Sequence, residues 1–291
     1  MTNNQAKVVN KTSAIWGAIL VVIAVDATWM RLSGISADPG GVAVLVWAVG
    51  MLIAVAFFYY RTKRADPIMR AANAAAQLVA FTAAAAALSY LVTATNAPLA
   101  DSALAAADRS IGFEWHSWAA WVQAHRLIHV AFFLAYGSLL YQLVACVLFL
   151  ALRKSADEFL WILIVSGLLT IAISGFVPAI GNLADAPHIP HFNALRAGTL
   201  HTIPIGRGSQ GLIAFPSFHT TLAIMVAYAV REVRWLFVAA SVLNLLVILS
   251  VPTEGGHYLV DVLAGAAVTA MAIWAVRALR RRANLPDFHT T

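Results

Sequence analysis

The sequence predicts an all-α, polytopic membrane helix bundle of about eight transmembrane helices, with an added interfacial helix. Three observations predict it. The 291 residues are 61% hydrophobic and only 11% charged, a balance foreign to soluble domains. The apolar residues gather into eight runs, each near the ~20 residues that a bilayer needs. The lysines and arginines collect between those runs, and they do so unequally on the two sides.

The first three runs, Ser13–Leu32, Val42–Tyr60 and Ala71–Val92, form an N-terminal unit over residues 1–100. Met1 to Asn10 is polar and the run that follows is long enough to span, so no cleavable signal peptide is expected. Asp26 lies in the first run, near Trp29 and Arg31, and reads as a carboxylate reaching toward Arg31 or the interface. The alanine-rich third run favours close helix packing. Residues 101–291 form the second unit. It opens on Asp101 to Arg126, where Ile111, Phe113, Trp115, Trp118, Trp121 and Val122 predict an amphipathic helix in the interface. That helix reads as an aromatic anchor or as a lid over a lipid cleft.

The remaining runs are Leu127–Leu152, Phe159–Ile180, Ala214–Val230, Trp235–Val251 and Gly256–Leu279. Tyr136, Tyr141 and Gln142 in the fourth run are expected to turn their polar ends toward helix neighbours. Cys146, the one cysteine, excludes an internal disulfide. With both termini cytoplasmic, about fourteen of the 19 lysines and arginines fall inside, leaving Arg31, Arg109, Arg126, Arg196 and Arg207 outside. The net charge of +6 is therefore a topology signal, and nucleic acid is not expected as a partner.

Chemistry concentrates between Phe215 and Leu263. The stretch reads F-P-S-F-H-T-T, then an apolar run, then S-V-P-T-E-G-G-H-Y-L-V-D-V-L. Ionisable groups at membrane depth are costly and are functional candidates for that reason. Pro216 suits the first turn of a helix, which would place Ser217 and His219 at its N-terminus, beside amides that favour an anion. His257 and Asp261 are four residues apart and would share one helical face, the carboxylate fixing the imidazole's tautomer. The charge asymmetry puts these residues on the extracytoplasmic side. The loop from Asn182 to Gln210 adds His188, His191, Arg196, His201 and Arg207. His188 and His191 form H-x-x-H with His201 nearby, but the helical H-E-x-x-H pattern of zinc enzymes is absent and no metal site is expected.

Pro216-Ser217-Phe218-His219, followed by Ser250 to Asp261, resembles the type 2 phosphatidic acid phosphatase superfamily, whose members carry P-S-G-H and S-R-x-x-x-x-x-H-x-x-x-D. Phe218 stands in the glycine place and Val251 in the arginine place, and the motif K-x-x-x-x-x-x-R-P is missing. The spelling F-P-S-x-H with G-H-Y-x-x-D looks closer to the branch containing inositol phosphorylceramide synthases. The resemblance implies catalysis without metal or cofactor by His257 as nucleophile, Asp261 as its orienting carboxylate and His219 as general acid. It implies a phosphate held by Ser217 and Arg196, with Arg207 the second cationic candidate. Glu254 is an extra carboxylate that would anchor Arg196 or Arg207, select an acceptor, or cap a helix. The implied activity is that of a plasma-membrane lipid phosphatase acting on a phospholipid or polyprenyl phosphate, or of a head-group phosphotransferase. A non-catalytic transporter or scaffold is the reading from a different class, since two family motifs are altered.

Overall fold

The computed structural model describes residues 3–183, 185–206 and 208–282, with side chains from residue 13 onward. Eleven helices and one short strand pair occur among them. In chain order they are α1 (Asn3–Ser33), β1 (Ser36–Ala37), α2 (Pro39–Thr62), α3 (Asp66–Thr93), α4 (Asp101–Ser110), α5 (Trp115–Ala124), α6 (Arg126–Leu152), α7 (Ala156–Phe176), α8 (Ile189–Arg196), β2 (Thr202–Ile203), α9 (Phe218–Ala229), α10 (Arg234–Glu254) and α11 (Leu259–Arg282).

Seven of these helices are long and apolar enough to cross a membrane: α1 to α3, α6, α7, α10 and α11. The eighth expected span, Ala214–Val230, contributes only the twelve residues of α9. At 1.5 Å per residue such a helix covers about 18 Å, well short of a ~30 Å hydrocarbon core. The shortening has a local cause. Pro216 carries no N–H, and the Ser217 side chain caps the helix by accepting from Thr220 N at 3.3 Å, so the helix starts there. The chain before it enters the bundle without helical structure, its Leu212, Ala214 and Pro216 buried in protein. Non-helical backbone is tolerated at that depth only when protein surrounds it. Here α6, α7, α10 and α11 enclose α9.

The packing follows from side-chain size. In α3 the buried alanines Ala72, Ala74, Ala76, Ala80, Ala84 and Ala87 let α1, α2, α6 and α7 approach its backbone closely. One apolar core unites Ile15 and Ile19 of α1, Phe81 of α3, Leu143 of α6, Leu163 of α7, Met225 of α9 and Val276 of α11. Gly265 permits a close crossing. A Cβ there would collide with the Ser217 carbonyl, so α9 and α11 touch backbone to backbone.

The connections between the long helices are short at one end of the bundle and include both long segments at the other. At one end Glu158 holds Arg231 and Arg280, each at 3.4 Å, and accepts from Tyr228 Oη at 3.0 Å. At the other end β1 and β2 pair in parallel, Ser36 opposite Thr202 and Ala37 opposite Ile203, which ties the long loop before α9 to the α1–α2 connection.

The expected interfacial helix is two helices. The chain breaks at Gly112, with φ of +80°, and Glu114 restarts it by accepting from Ser117 N at 2.6 Å. Helix α4 packs on α11, while α5 packs on α6 and α10, so the pair closes this end of the bundle. Asp26 also differs from expectation. It is 5% exposed and turned inward, its Oδ1 without a hydrogen-bond partner among the described residues, rather than reaching for Arg31.

Candidate active site

Four chain segments meet at the end closed by α4 and α5. The first is the extended run into α9. Its Ser217 hydroxyl is fully buried and accepts from Thr220 N and from Thr220 Oγ1 at 3.2 Å, acting as helix cap. His219 follows as the second residue of α9. Its ring stacks on Tyr136 of α6, with centroids 4.3 Å apart and planes 18° apart, and its Nδ1 lies 3.3 Å from Tyr136 Oη.

The second segment is the turn from α10 to α11. After Glu254 come Gly255 and Gly256, then His257 and Tyr258. Gly256 has φ of +67°, and a side chain there would press into Leu183 at 2.8 Å, so both conformation and space require glycine. His257 therefore stands before α11, not on it. The expected helical face shared by His257 and Asp261 is not how they meet. Tyr258 is the residue preceding α11 and Asp261 its third residue. Asp261 Oδ2 accepts from Tyr258 N at 2.8 Å, the carboxylate half of a capping box. The same oxygen lies 3.3 Å from His257 Nδ1, and the reach back to the cap brings it there.

His257 Nδ1 is also 2.7 Å from the Ala214 carbonyl oxygen. Both neighbours are acceptors, so Nδ1 carries the hydrogen and donates, and the lone pair is on Nε2. His257 is 4% exposed and Asp261 is fully buried, which fixes the pair in one arrangement. The His219 and His257 rings meet edge to face, with centroids 6.3 Å apart and planes 64° apart. Backbone bonds lock the segments together: Ser217 N donates to Asp261 O at 3.0 Å, and Asn182 N to Gly256 O at 2.6 Å.

The third segment is α4, and sequence reasoning missed its role. The Asp101 carboxylate accepts from Ile180 N at 3.1 Å, Gly181 N at 2.9 Å and Tyr258 Oη at 3.2 Å. Asp108, 3% exposed, accepts from Leu259 N at 2.8 Å and Val260 N at 2.9 Å, the first amides of α11. Two carboxylates thus hold the loop beside Gly256 and the helix that carries Asp261. The signal was available: the two aspartates are seven residues apart, two helical turns, and so share one face. The Ala214 carbonyl left no such trace, since every residue has one.

The fourth segment is the loop with α8. Arg196 ends α8 with its guanidinium 5.5 Å from the Phe192 ring centroid, and its Nη1 is buried without a hydrogen-bond partner among the described residues. Arg207 lies outside the described residues. His188 Nε2 is 3.2 Å from the Ile180 carbonyl, while His191 Nδ1 is 3.0 Å from Tyr90 Oη, so the H-x-x-H pair divides between different partners. Burial holds the His188 imidazole below the ordinary histidine range; the Ile180 carbonyl opposes this, and nearby His257 adds to it.

Two expectations are corrected. Glu254 does not anchor Arg196; it lies 3.8 Å from His129 Nε2 at the rim. Of the polar residues in α6, Tyr136 meets His219 and Gln142 accepts from Asn244 Nδ2 at 2.8 Å, but Tyr141 is 77% exposed and turns away from the bundle. Val251, where the resemblance expects an arginine, is fully buried, so this position supplies no cation.

Seven membrane-length helices packed in one bundle define a multi-pass membrane protein, and at one end of it a buried histidine–carboxylate pair lies beside a second histidine. A family model described as the PAP2 superfamily matches residues 102–275, more than half of the chain, and the chain belongs to that superfamily. The matched residues include His219, His257 and Asp261 together with Asp108. No curated protein and no solved structure matches the chain.

Proposed function

We propose that this protein is an integral membrane lipid phosphatase that hydrolyses a phospholipid or polyprenyl phosphate at the extracytoplasmic face of the plasma membrane. The observation that carries the reading is His257, whose Nδ1 hydrogen is held by the Ala214 carbonyl at 2.7 Å and the Asp261 carboxylate at 3.3 Å. An imidazole so held presents an unprotonated Nε2 to substrate and has its positive charge matched as the reaction proceeds.

In the proposed reaction His257 Nε2 attacks phosphorus and the bond to the leaving oxygen breaks. His219 passes a proton to that oxygen, so the lipid alcohol departs neutral. Water then attacks the phosphohistidine, gives its proton to His219, and the phosphorus–nitrogen bond breaks to release phosphate. Positioning and charge stabilisation supply most of the catalysis in phosphoryl transfer. Arg196, whose Nη1 has no protein partner among the described residues, is the proposed cation for the equatorial oxygens, with Arg207 as the second. Ser217 contributes through the helix N-terminus that it caps, whose amides favour an anion. The extracytoplasmic assignment follows the lysine and arginine asymmetry. The resemblance of the F-P-S-x-H spelling to the synthase-like branch supports a head-group phosphotransferase as the second reading, in which a lipid hydroxyl would replace the water.

Purified protein incubated with a panel of lipid phosphates, with and without diacylglycerol or ceramide, tests the reading. Release of inorganic phosphate, together with an acid-labile phosphoryl group trapped on His257, is the expected result. A new phospholipid formed without free phosphate would make the protein a transferase. Phosphate trapped on His219, or turnover surviving in His257→Ala, would overturn the assignment of the nucleophile.

A further inference from the structure

We infer that Tyr136 is the positioning residue of His219, a hydroxyl and ring on α6 that decide which nitrogen of that histidine exchanges the proton. The inference rests on the proposal that His219 is the general acid.

A histidine that first donates and then accepts a proton must do both through the same nitrogen, aimed at the reacting oxygen. The other nitrogen therefore needs a partner that keeps its hydrogen throughout. Tyr136 Oη lies 3.3 Å from His219 Nδ1, and this contact occupies Nδ1 whichever of the two atoms donates. The proton that is traded is then the one on Nε2. The stack at 4.3 Å and 18° sets the plane in which Nε2 points, and the His257 ring stands 6.3 Å from the His219 ring.

A second observation comes from Gly255. A Cβ at that position would sit 2.9 Å from Tyr136 Oη and 2.6 Å from His257 Cδ2, so the phenol tip and the nucleophile's ring close on the same glycine. Tyr136 Oη thus lies beside the turn carrying His257 and also beside His219. Around it Ala135 and Leu139 of α6 pack against Ala223 and Val247. A phenylalanine would fill this packing equally well, so the hydroxyl is the part that packing leaves unexplained.

The test measures kcat of the purified protein on phosphate monoesters whose leaving groups run from activated phenols to simple alkanols. Wild type, Tyr136→Phe, Tyr136→Ala and His219→Ala are compared. An activated phenol needs little proton donation and an alkanol needs much, and a whole general acid supplies ~10²–10⁴-fold. Tyr136→Phe keeps the stack, and the ratio of phenol-ester to alkanol-ester turnover is expected to rise about tenfold, a fraction of that span. Tyr136→Ala, which also frees the ring plane, should raise the ratio further. Equal loss on every ester in Tyr136→Phe, or no loss, would overturn the role of Tyr136 while leaving His219 untouched. If His219→Ala itself leaves the ratio unchanged, the reading of His219 as general acid fails instead. Tyr136→Phe alone suffices for the decision if Tyr136→Ala does not fold.

Discussion

Replacing Asp108 by alanine should both destabilise the protein and slow it, and the structure sets the size of the first effect. The carboxylate is 3% exposed and accepts from Leu259 N and Val260 N at 2.8 and 2.9 Å. Alanine leaves two buried amides without acceptors, each worth about 1–3 kcal/mol. It also removes an anion from a helix N-terminus, worth roughly 0.3–2 kcal/mol. These terms overlap, and a total loss near ~4 kcal/mol is expected. Asp108→Asn keeps one acceptor but turns an amide NH₂ toward a backbone N–H, so it should fall between alanine and wild type. The first turn of α11 carries Asp261, so kcat should fall with stability while KM changes less. Denaturant titration of the detergent-solubilised protein, followed by tryptophan fluorescence, measures the first effect, and turnover of a soluble aryl phosphate the second. Arg109→Ala, an exposed neighbour, should stay within about 0.5 kcal/mol of wild type. If Asp108→Ala matched Arg109→Ala in both measurements, α4 would not be holding the site and the reasoning would be refuted.

Gly255→Ala should lose most activity, because its methyl group would meet His257 Cδ2 at 2.6 Å and both Tyr136 Oη and the Val251 carbonyl oxygen at 2.9 Å; normal turnover by the variant would contradict the close approach. Arg196→Ala should weaken turnover by roughly 1.5–3 kcal/mol, the worth of a charge-assisted bond, and Arg109→Ala should not; equal small losses would place the phosphate elsewhere. A cysteine at exposed His201 should react with an impermeant reagent in intact cells, with little background from buried Cys146. Labelling only after permeabilisation would reverse the proposed orientation.

Much of this protein could be read along the chain. Seven of the eight expected spans are long apolar helices, because a helix satisfies its own backbone and a bilayer selects its length locally. The catalytic candidates were equally legible, since ionisable residues stand out in an apolar sequence: His219, His257 and Asp261 lie together at one end. The alanines of α3 announced close packing by composition alone, and the crossing helices used it.

What the sequence misassigned or passed over depends on segments far apart in the chain. Hydropathy made Ala214–Val230 a span, yet it cannot report that the fold buries Leu212, Ala214, Pro216 and Ser217 and so permits a non-helical entry. Spacing set His257 and Asp261 on one helical face, but a cap joins them, and the cap's second carboxylate is Asp108, 151 residues before Leu259. Ala214 contributes only a carbonyl, 43 residues before the histidine that it orients, and Tyr136 lies 83 residues before the ring that it stacks on. Length, apolar period and the presence of rare charges are properties of neighbouring residues, and the sequence determines them. Which buried donor meets which acceptor is decided by helix crossings, because an unpaired polar group in a dry interior costs more than most local preferences supply.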